Sequence, residues 1–112
     1  MREIIVDTET TGLEPEKGHK IIEFGALEMQ NHSLTGNKLH LYINPERKID
    51  ENAYNIHGIS NEFLSVKPIF CEVAKQIIDF IEDSKIVAHN ATFDVGFLNY
   101  ELATCGYDIF SQ

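Results

Sequence analysis

The sequence predicts an α/β fold in which a mixed β-sheet is flanked by helices. Two observations lead to this prediction. The first half of the chain contains three apolar or alternating segments joined by polar turns, which is typical of an antiparallel meander. The second half contains an apolar helical period, a short apolar strand and a second helical segment. The order β-β-β-α-β-α favours one domain with helices packed on the sheet.

Three strands are predicted before Pro45. Residues 3–9 begin apolar and end polar, and the following Thr-Thr-Gly breaks the strand ahead of a polar loop. Residues 20–29, which are rich in Ile and Phe, form the second strand. Residues 31–37 supply turn-forming side chains, and residues 39–43 then alternate between apolar and polar.

Two longer helices and one short strand are predicted in the second half. After a short helical turn and a loop at residues 50–58, a helix begins at a proline and covers residues 68–83, since proline is tolerated in a first turn. Residues 85–88 form a strand. Residues 92–104 form the second helix, and Gly106 is a suitable stop. The apolar face of the first helix comprises Phe70, Val73, Ala74, Ile77 and Ile81.

A net charge of −9 limits how this protein could bind nucleic acid. Phosphate contacts normally use Lys and Arg, so the charge argues against a simple DNA-binding module. A metal-dependent nuclease stays open, because carboxylates hold divalent cations and the cations contact phosphate. No apolar run reaches the roughly 20 residues of a membrane span, and the N-terminus has no signal-peptide pattern. We therefore expect a cytoplasmic protein without membrane contact.

The two cysteines, Cys71 and Cys105, lie in helix-like contexts and are not spaced as metal ligands. Their even number allows a disulfide, but an intracellular chain usually keeps such thiols reduced. We expect both to act as small buried apolar side chains.

The first candidate constellation is at the end of the first strand. Residues two apart on a strand point the same way and lie roughly 6.5–7 Å apart. Asp7 and Glu9 therefore place two carboxylates on one face, where a divalent cation would relieve their repulsion. The alternative is a solvated acidic strand end, because this pair alone is common by chance.

The second constellation runs from His89 to Asp94, where a short strand leads into a helix. Asp94 should lie in the first helical turn, where it would complement the helix dipole. Aimed at the first strand, it would complete a set of three carboxylates suited to two-metal phosphoryl transfer. We expect His89 to belong to the turn rather than to act as a base. The other loop and strand histidines, His19, His32 and His40, are expected to be solvated or partly packed.

These two segments resemble the first and second motifs of DEDD-type exonucleases, the DEDDh branch included. Further stretches are similar to the proofreading 3′→5′ exonuclease (epsilon) subunits of bacterial DNA polymerase III specifically. The resemblance covers essentially the whole chain and implies a ribonuclease H-like fold. The stretches that carry it are residues 18–23 (GHKIIE), 34–37 (LTGN), 57–59 (HGI), 67–68 (KP) and 94–97 (DVGF).

The resemblance implies a metal centre for phosphodiester hydrolysis. Asp7, Glu9 and Asp94 would be three of four acidic ligands to two divalent ions, Mg²⁺ or Mn²⁺, with Asp7 as the bridge. The substrate would be a single-stranded or frayed 3′ end of DNA, from which a mismatched nucleotide leaves as a 5′-monophosphate. The substrate-binding positions it implies are Asp7, Thr8, Glu9, Thr10, Asn52 and His57. At Asn52 the family position is acidic, but an amide can still bond a sugar hydroxyl.

The resemblance also implies parts that residues 1–112 do not contain. The family's third motif supplies a general-base His and a fourth metal-binding Asp, and its sheet has a fifth strand followed by a closing helix. We expect residues 1–112 to be a partial exonuclease domain that is inactive alone. General-base loss alone typically costs about 10²–10⁴-fold in rate. We also expect apolar surface on residues 70–81 or on the second helix to lack its cover.

Two rival interpretations remain open. The chain could belong to another DEDD exonuclease that trims RNA or DNA ends. It could also be a non-catalytic assembly module of the polymerase. In the family the exonuclease domain binds the small theta subunit, and a C-terminal tail, absent from this sequence, joins the polymerase subunit.

Overall fold

A computed structural model describes residues 1–110 of the chain. It contains a four-stranded sheet, four helices and a short 3-10 turn in the loop that follows the first strand. Within this part of the chain, no helix has the length and apolar character needed to cross a bilayer. The elements are β1 (Arg2–Thr10), the 3-10 turn (Pro15–Lys17), β2 (Ile21–Gln30), β3 (Ser33–Tyr42), α1 (Glu51–His57), α2 (Asn61–Leu64), α3 (Phe70–Ile81), β4 (Lys85–Val87) and α4 (Ala91–Thr104).

The sheet has the strand order β3-β2-β1-β4, so β1 is an interior strand. β1 and β2 are antiparallel, β2 and β3 are antiparallel, and β4 runs parallel to β1. The register between β1 and β2 shifts after Glu9, so that Thr10 lies opposite Ile21. The predicted meander and mixed sheet are confirmed. The register shift lies directly after Glu9, the second of the two candidate carboxylates on β1.

The turn between β2 and β3 is shorter than predicted. Only Asn31 and His32 form it, both with positive φ (52° and 69°), and Gln30 pairs directly with Ser33. A two-residue turn with two left-handed residues matches the twist of a hairpin. Residues 33–37 therefore belong to β3, and the prediction that they form a turn was wrong.

The apolar core lies on the sheet face that α3 and α4 cover. Ile4, Val6 and Phe24 point to this face and are almost fully buried. The predicted apolar face of α3 is buried along its whole length, from Phe70 to Ile81. The expectation that this surface would lack its cover was wrong, because the sheet itself covers it.

Exposed apolar side chains occur instead on the opposite sheet face. Ile5 of β1 pairs with Leu27 and with Val87, and successive strand residues alternate between faces. Leu27 is 41% exposed and Val87 is 36% exposed. The sheet is thus packed with helices on one face and more open on the other.

Cys71 and Cys105 form a disulfide, contrary to the prediction of two reduced and buried thiols. Their Cα atoms lie 5.5 Å apart, within the usual range for disulfides. Cys71 lies in the first turn of α3 and is exposed, while Cys105 directly follows α4 and is half-buried. The sequence did not reveal the pairing because it depends on how the two helices pack.

Glu101 is a buried carboxylate that fastens α4 to the start of β2. Its side chain accepts a hydrogen bond from the Ile21 backbone N–H at 2.7 Å, and the residue is only 3% exposed. Lys20 Nζ lies 3.9 Å from the other carboxylate oxygen. Burial raises the pKa of Glu101 to about 7, and the contacts with Ile21 and Lys20 oppose this rise only in part.

We expect this carboxylate to make stability fall as pH rises from about 5 to 7. The folded state holds the Glu101 proton more tightly than the unfolded chain, so the stabilisation is complete below pH ~4.5 and is lost through the folded pKa of about 7. A shift of this size corresponds to a contribution on the order of 3 kcal/mol. Urea unfolding from pH 4.5 to 8 measures the effect. Glu101→Gln should flatten the curve, and equal slopes in both proteins would contradict the assignment.

Candidate active site

The end of β1 presents different chemistry to the two sheet faces. Thr8 and Thr10 point to the helical side and are buried, whereas Asp7 is exposed and Glu9 is half-buried on the opposite side. The predicted placement of Asp7 and Glu9 on one face is confirmed. It follows from strand alternation alone.

Asp94 lies in the first turn of α4, as predicted, and is joined to β1. Asn90 caps the helix, with its side-chain oxygen accepting from the Phe93 N–H at 3.4 Å. The Thr8 hydroxyl donates a 2.5 Å hydrogen bond to Asp94 Oδ1, and Asp94 is 6% exposed. The second motif is therefore attached to the first through the threonine between the two β1 carboxylates.

The three carboxylates influence one another electrostatically. Burial raises the pKa of Glu9, and the nearby charge of Asp7 raises it further. Burial also raises the pKa of Asp94; the Thr8 hydrogen bond lowers it, and the charge of Asp7 raises it again. Like charges disfavour ionisation in this way only when the groups are near each other. A cation between them would reverse the effect.

The three carboxylates lie near one another, but their present positions do not form a metal-coordination site. Among residues 1–110, no three His, Cys, Asp or Glu side chains are placed to hold one ion. One oxygen of Asp94 is engaged by Thr8, and Asp7 and Glu9 point from the other face of the strand. Their hard oxygen donors suit Mg²⁺ or Mn²⁺. Their role as metal ligands stays a prediction.

A cavity of about 260 Å³ lies beside these carboxylates, between the end of β1 and helix α1. Five of the predicted substrate-binding residues line it, and Asp7 does not. Sequence reasoning missed the apolar residues Leu13, Ile56 and Phe93, although a leucine within an otherwise polar loop was an available signal. The lining residues are Thr8, Glu9, Thr10, Gly12, Leu13, Asp50, Asn52, Ala53, Ile56, His57 and Phe93.

His57 lines the cavity, but both of its ring nitrogens have protein partners. Nδ1 accepts from the Ile59 N–H at 3.0 Å, and Nε2 lies 3.2 Å from the Thr10 carbonyl oxygen. These two bonds together require the neutral tautomer with hydrogen on Nε2. His57 thus ties α1 to the end of β1, and its contact with substrate stays a prediction.

The remaining candidates lie at the rim or elsewhere. Asn52 is exposed on α1 at the cavity. His89 is exposed in the turn before α4, where Asn90 provides the helix cap. His40 contacts Glu23 at 2.6 Å on β2 and β3. His19 is packed beside the cavity with its side chain 11% exposed, which agrees with the expectation of partial packing, although the sequence did not indicate its place at the cavity.

Comparison with known proteins places the chain among nucleases. The family model described as "Exonuclease" matches residues 4–111. DNA polymerase III subunit epsilon of Rickettsia felis is 58% identical over 103 residues, covering 92% of this chain and 45% of the relative. The Escherichia coli K12 protein of the same name is 48% identical over 112 residues, covering 96% and 46%. The chain thus spans about half the length of these relatives.

Solved structures share the fold. Exonuclease I without ligand superposes with a TM-score of 0.87 at 20% identity, covering 96% of this chain and 25% of that one. E. coli exonuclease I in complex with a dT13 oligonucleotide gives 0.86, again at 20% identity, covering 96% and 24%. These likenesses confirm the predicted ribonuclease H-like mixed sheet. Since the family model spans nearly all of the sequence, this chain belongs to the exonuclease family.

Proposed function

We propose that this chain forms the catalytic front of a 3′→5′ exonuclease, the proofreading subunit of a bacterial DNA polymerase III. The observation that carries the proposal is the cavity at the end of β1, bordered by Glu9 and lying next to Asp7 and Asp94. The relatives named DNA polymerase III subunit epsilon support the choice within the family. The reaction is removal of mismatched 3′-terminal nucleotides by phosphodiester hydrolysis.

The cavity suits one terminal nucleotide. Its volume of about 260 Å³ is slightly below the range of roughly 300–1,000 Å³ for ligand pockets, which fits a small ligand better than an oligonucleotide. Leu13 and Ile56 are 78% and 82% exposed at its rim, and Phe93 adds an aromatic face, so a base could pack among them. Thr10 and Asn52 offer polar groups for the sugar and phosphate.

Asp7, Glu9 and Asp94 would hold the two divalent ions, Mg²⁺ or Mn²⁺. When bound, the ions would activate the attacking water and neutralise charge on the phosphate. Thr8 prepares Asp94 for this role, because its hydrogen bond fixes one oxygen and opposes the rise in the Asp94 pKa that burial causes. The second Asp94 oxygen is then the donor available to a cation.

The partners follow from the same proposal. The substrate is a single-stranded or frayed 3′ end, and E. coli exonuclease I has been solved in complex with a dT13 and with a dA16 oligonucleotide. Negatively charged DNA would approach a chain of net charge −9 through the bound cations. The polymerase III core, including theta, would be the protein partner in the cytoplasm.

The test uses a completed enzyme, in which residues 1–112 are followed by the part of the E. coli relative beyond the matched segment. We expect it to release nucleoside 5′-monophosphates from 3′-labelled single-stranded DNA with Mn²⁺ or Mg²⁺, and to lose this activity in EDTA. A mismatched primer end should be cut faster than a paired one, because it frays more readily.

A 5′-labelled substrate and an RNA oligonucleotide are the controls. Shortening from the 5′ end, or activity that persists in EDTA, would overturn the proposed chemistry. Faster cutting of RNA than of DNA would favour another exonuclease of the same family. Binding of theta by a folded but inactive completed enzyme would favour the assembly module.

A further inference from the structure

The loop between β1 and β2 contains a histidine whose contacts join separate parts of the cavity wall. The side chain of His19 is 11% exposed, and both ring nitrogens have partners. Nδ1 lies 2.9 Å from the Thr11 hydroxyl, and Nε2 lies 3.3 Å from Asp50 Oδ2. Thr11 is fully buried, and its hydroxyl also accepts the Lys20 N–H at 3.0 Å. The Thr11 hydroxyl therefore accepts from Lys20, and its own hydrogen can be donated to His19 Nδ1.

The imidazole also supports the backbone directly beneath the cavity. A Cβ placed on Gly12 would lie 2.3–2.5 Å from three atoms of the His19 ring. The ring therefore occupies the space that any larger residue at position 12 would need. Gly12 lines the cavity, so the His19 ring behind it limits how far the backbone at Gly12 can move away from the cavity.

The far end of the contact chain reaches helix α1. Asp50 is the residue that precedes α1, and its N–H donates to the Thr11 carbonyl oxygen at 2.9 Å. Arg47 Nη2 lies 3.7 Å from the other Asp50 oxygen. The contacts Thr11–His19–Asp50 thus connect the end of β1 with the start of the helix that carries Asn52 and His57.

We propose that His19 is a positioning residue that sets the spacing between the two walls of the nucleotide cavity. One wall is the β1 end and Gly12, and the other is α1. The proposal rests on the proposed function, because the ligand is the 3′-terminal nucleotide of that reaction. His19 makes its polar side-chain contacts with Thr11 and Asp50, and among the described residues it has no hydrogen bond or ion pair with Asp7, Glu9 or Asp94. Its loss should therefore weaken nucleotide binding without weakening binding of the metal.

The test measures binding and turnover in the completed enzyme. His19→Phe keeps a ring over Gly12 and removes both polar contacts. We expect it to raise the Kd for thymidine 5′-monophosphate and the KM for DNA about 10-fold, as loss of one or two buried hydrogen bonds would. The Mn²⁺ affinity and kcat should stay within about 3-fold. His32→Asn, in the exposed hairpin turn, is the control and should match the parent.

A second pair of variants guards against simple misfolding. Thr11→Val removes the hydroxyl that bonds His19, whereas Thr11→Ser keeps it. We expect Thr11→Val to raise the nucleotide Kd like His19→Phe, the double variant to be no worse than either, and Thr11→Ser to behave as the parent. Fully additive effects, an unchanged Kd in folded His19→Phe, or an equal loss of Mn²⁺ affinity would overturn the proposal. If the parent itself bound no nucleotide, the proposed function would fail instead.

Discussion

Asp7→Asn is expected to lower the exonuclease rate of the completed enzyme by about 10²–10³-fold, the largest effect among the single substitutions considered. A metal that stabilises charge in the transition state is worth several kcal/mol, and each 1.36 kcal/mol is tenfold in rate. Asparagine keeps the shape of the side chain but removes the charge that would attract the ions. Release of mononucleotides from 3′-labelled DNA measures the loss.

Asp7→Asn should also shift the pKa values of the neighbouring Glu9 and Asp94 carboxyls downward. Asp7 raises the pKa of both Glu9 and Asp94, so its neutralisation should lower both values. Without metal, Asp7→Asn should therefore be no less stable than the parent. The parent should gain thermal stability from Mn²⁺, and the variant should gain less.

Asp79→Asn provides the matched control. Asp79 is exposed on α3, where it pairs with Lys75, and the substitution makes the same change of charge. It should leave both the rate and the response to Mn²⁺ unaltered. Full activity of Asp7→Asn, or an equal loss in Asp79→Asn, would contradict the role assigned to Asp7.

Reduction of the Cys71–Cys105 disulfide is expected to lower the free energy of unfolding by about 3–4 kcal/mol. The bond closes a loop between residues 34 positions apart, and opening it restores conformational freedom to the unfolded chain. It also releases the start of α3 from the end of α4. For a domain of this size, the melting temperature should fall by roughly 10 °C or more. Calorimetry with and without a dithiol reductant measures the change.

The double variant Cys71→Ser/Cys105→Ser is the control. It should melt near the reduced parent, and the reductant should not change its melting temperature. Alkylation followed by mass spectrometry reports the state of the two thiols independently. Alkylation of both cysteines in protein purified without a reductant would contradict the Cys71–Cys105 disulfide. So would identical unfolding of the oxidised and reduced forms.

Local periodicity predicted much of the fold and part of the site. Alternation along β1 was sufficient to place Asp7 and Glu9 on one face, and the helical period identified the buried face of α3. These properties depend on neighbours only two to four residues away, so the sequence contains them directly. The strand-to-helix pattern likewise placed Asp94 in the first turn of α4.

The same local reasoning failed where the length of a turn or the burial of an apolar helix face depends on distant residues. The hairpin turn is two residues long because the flanking strands remain paired up to Gln30 and Ser33, which leaves only Asn31 and His32 between them. The apolar face of α3 is buried because a sheet lies against it. The local sequence identified turn-forming side chains and an apolar stripe, but it does not specify which strand or helix packs against them.

The sequence by itself determined the order of the strands and of the two longer helices, the direction of the β1 carboxylates and the motifs that resemble exonucleases, but not helix α2 or the 3-10 turn. Only the tertiary structure decided that Thr8 bonds Asp94 across 86 residues of sequence, and that Cys71 meets Cys105. It likewise brought His19 between the end of β1 and α1. The physical reason is that side-chain direction follows from the local backbone period, whereas contacts between distant segments exist only after the helices pack on the sheet.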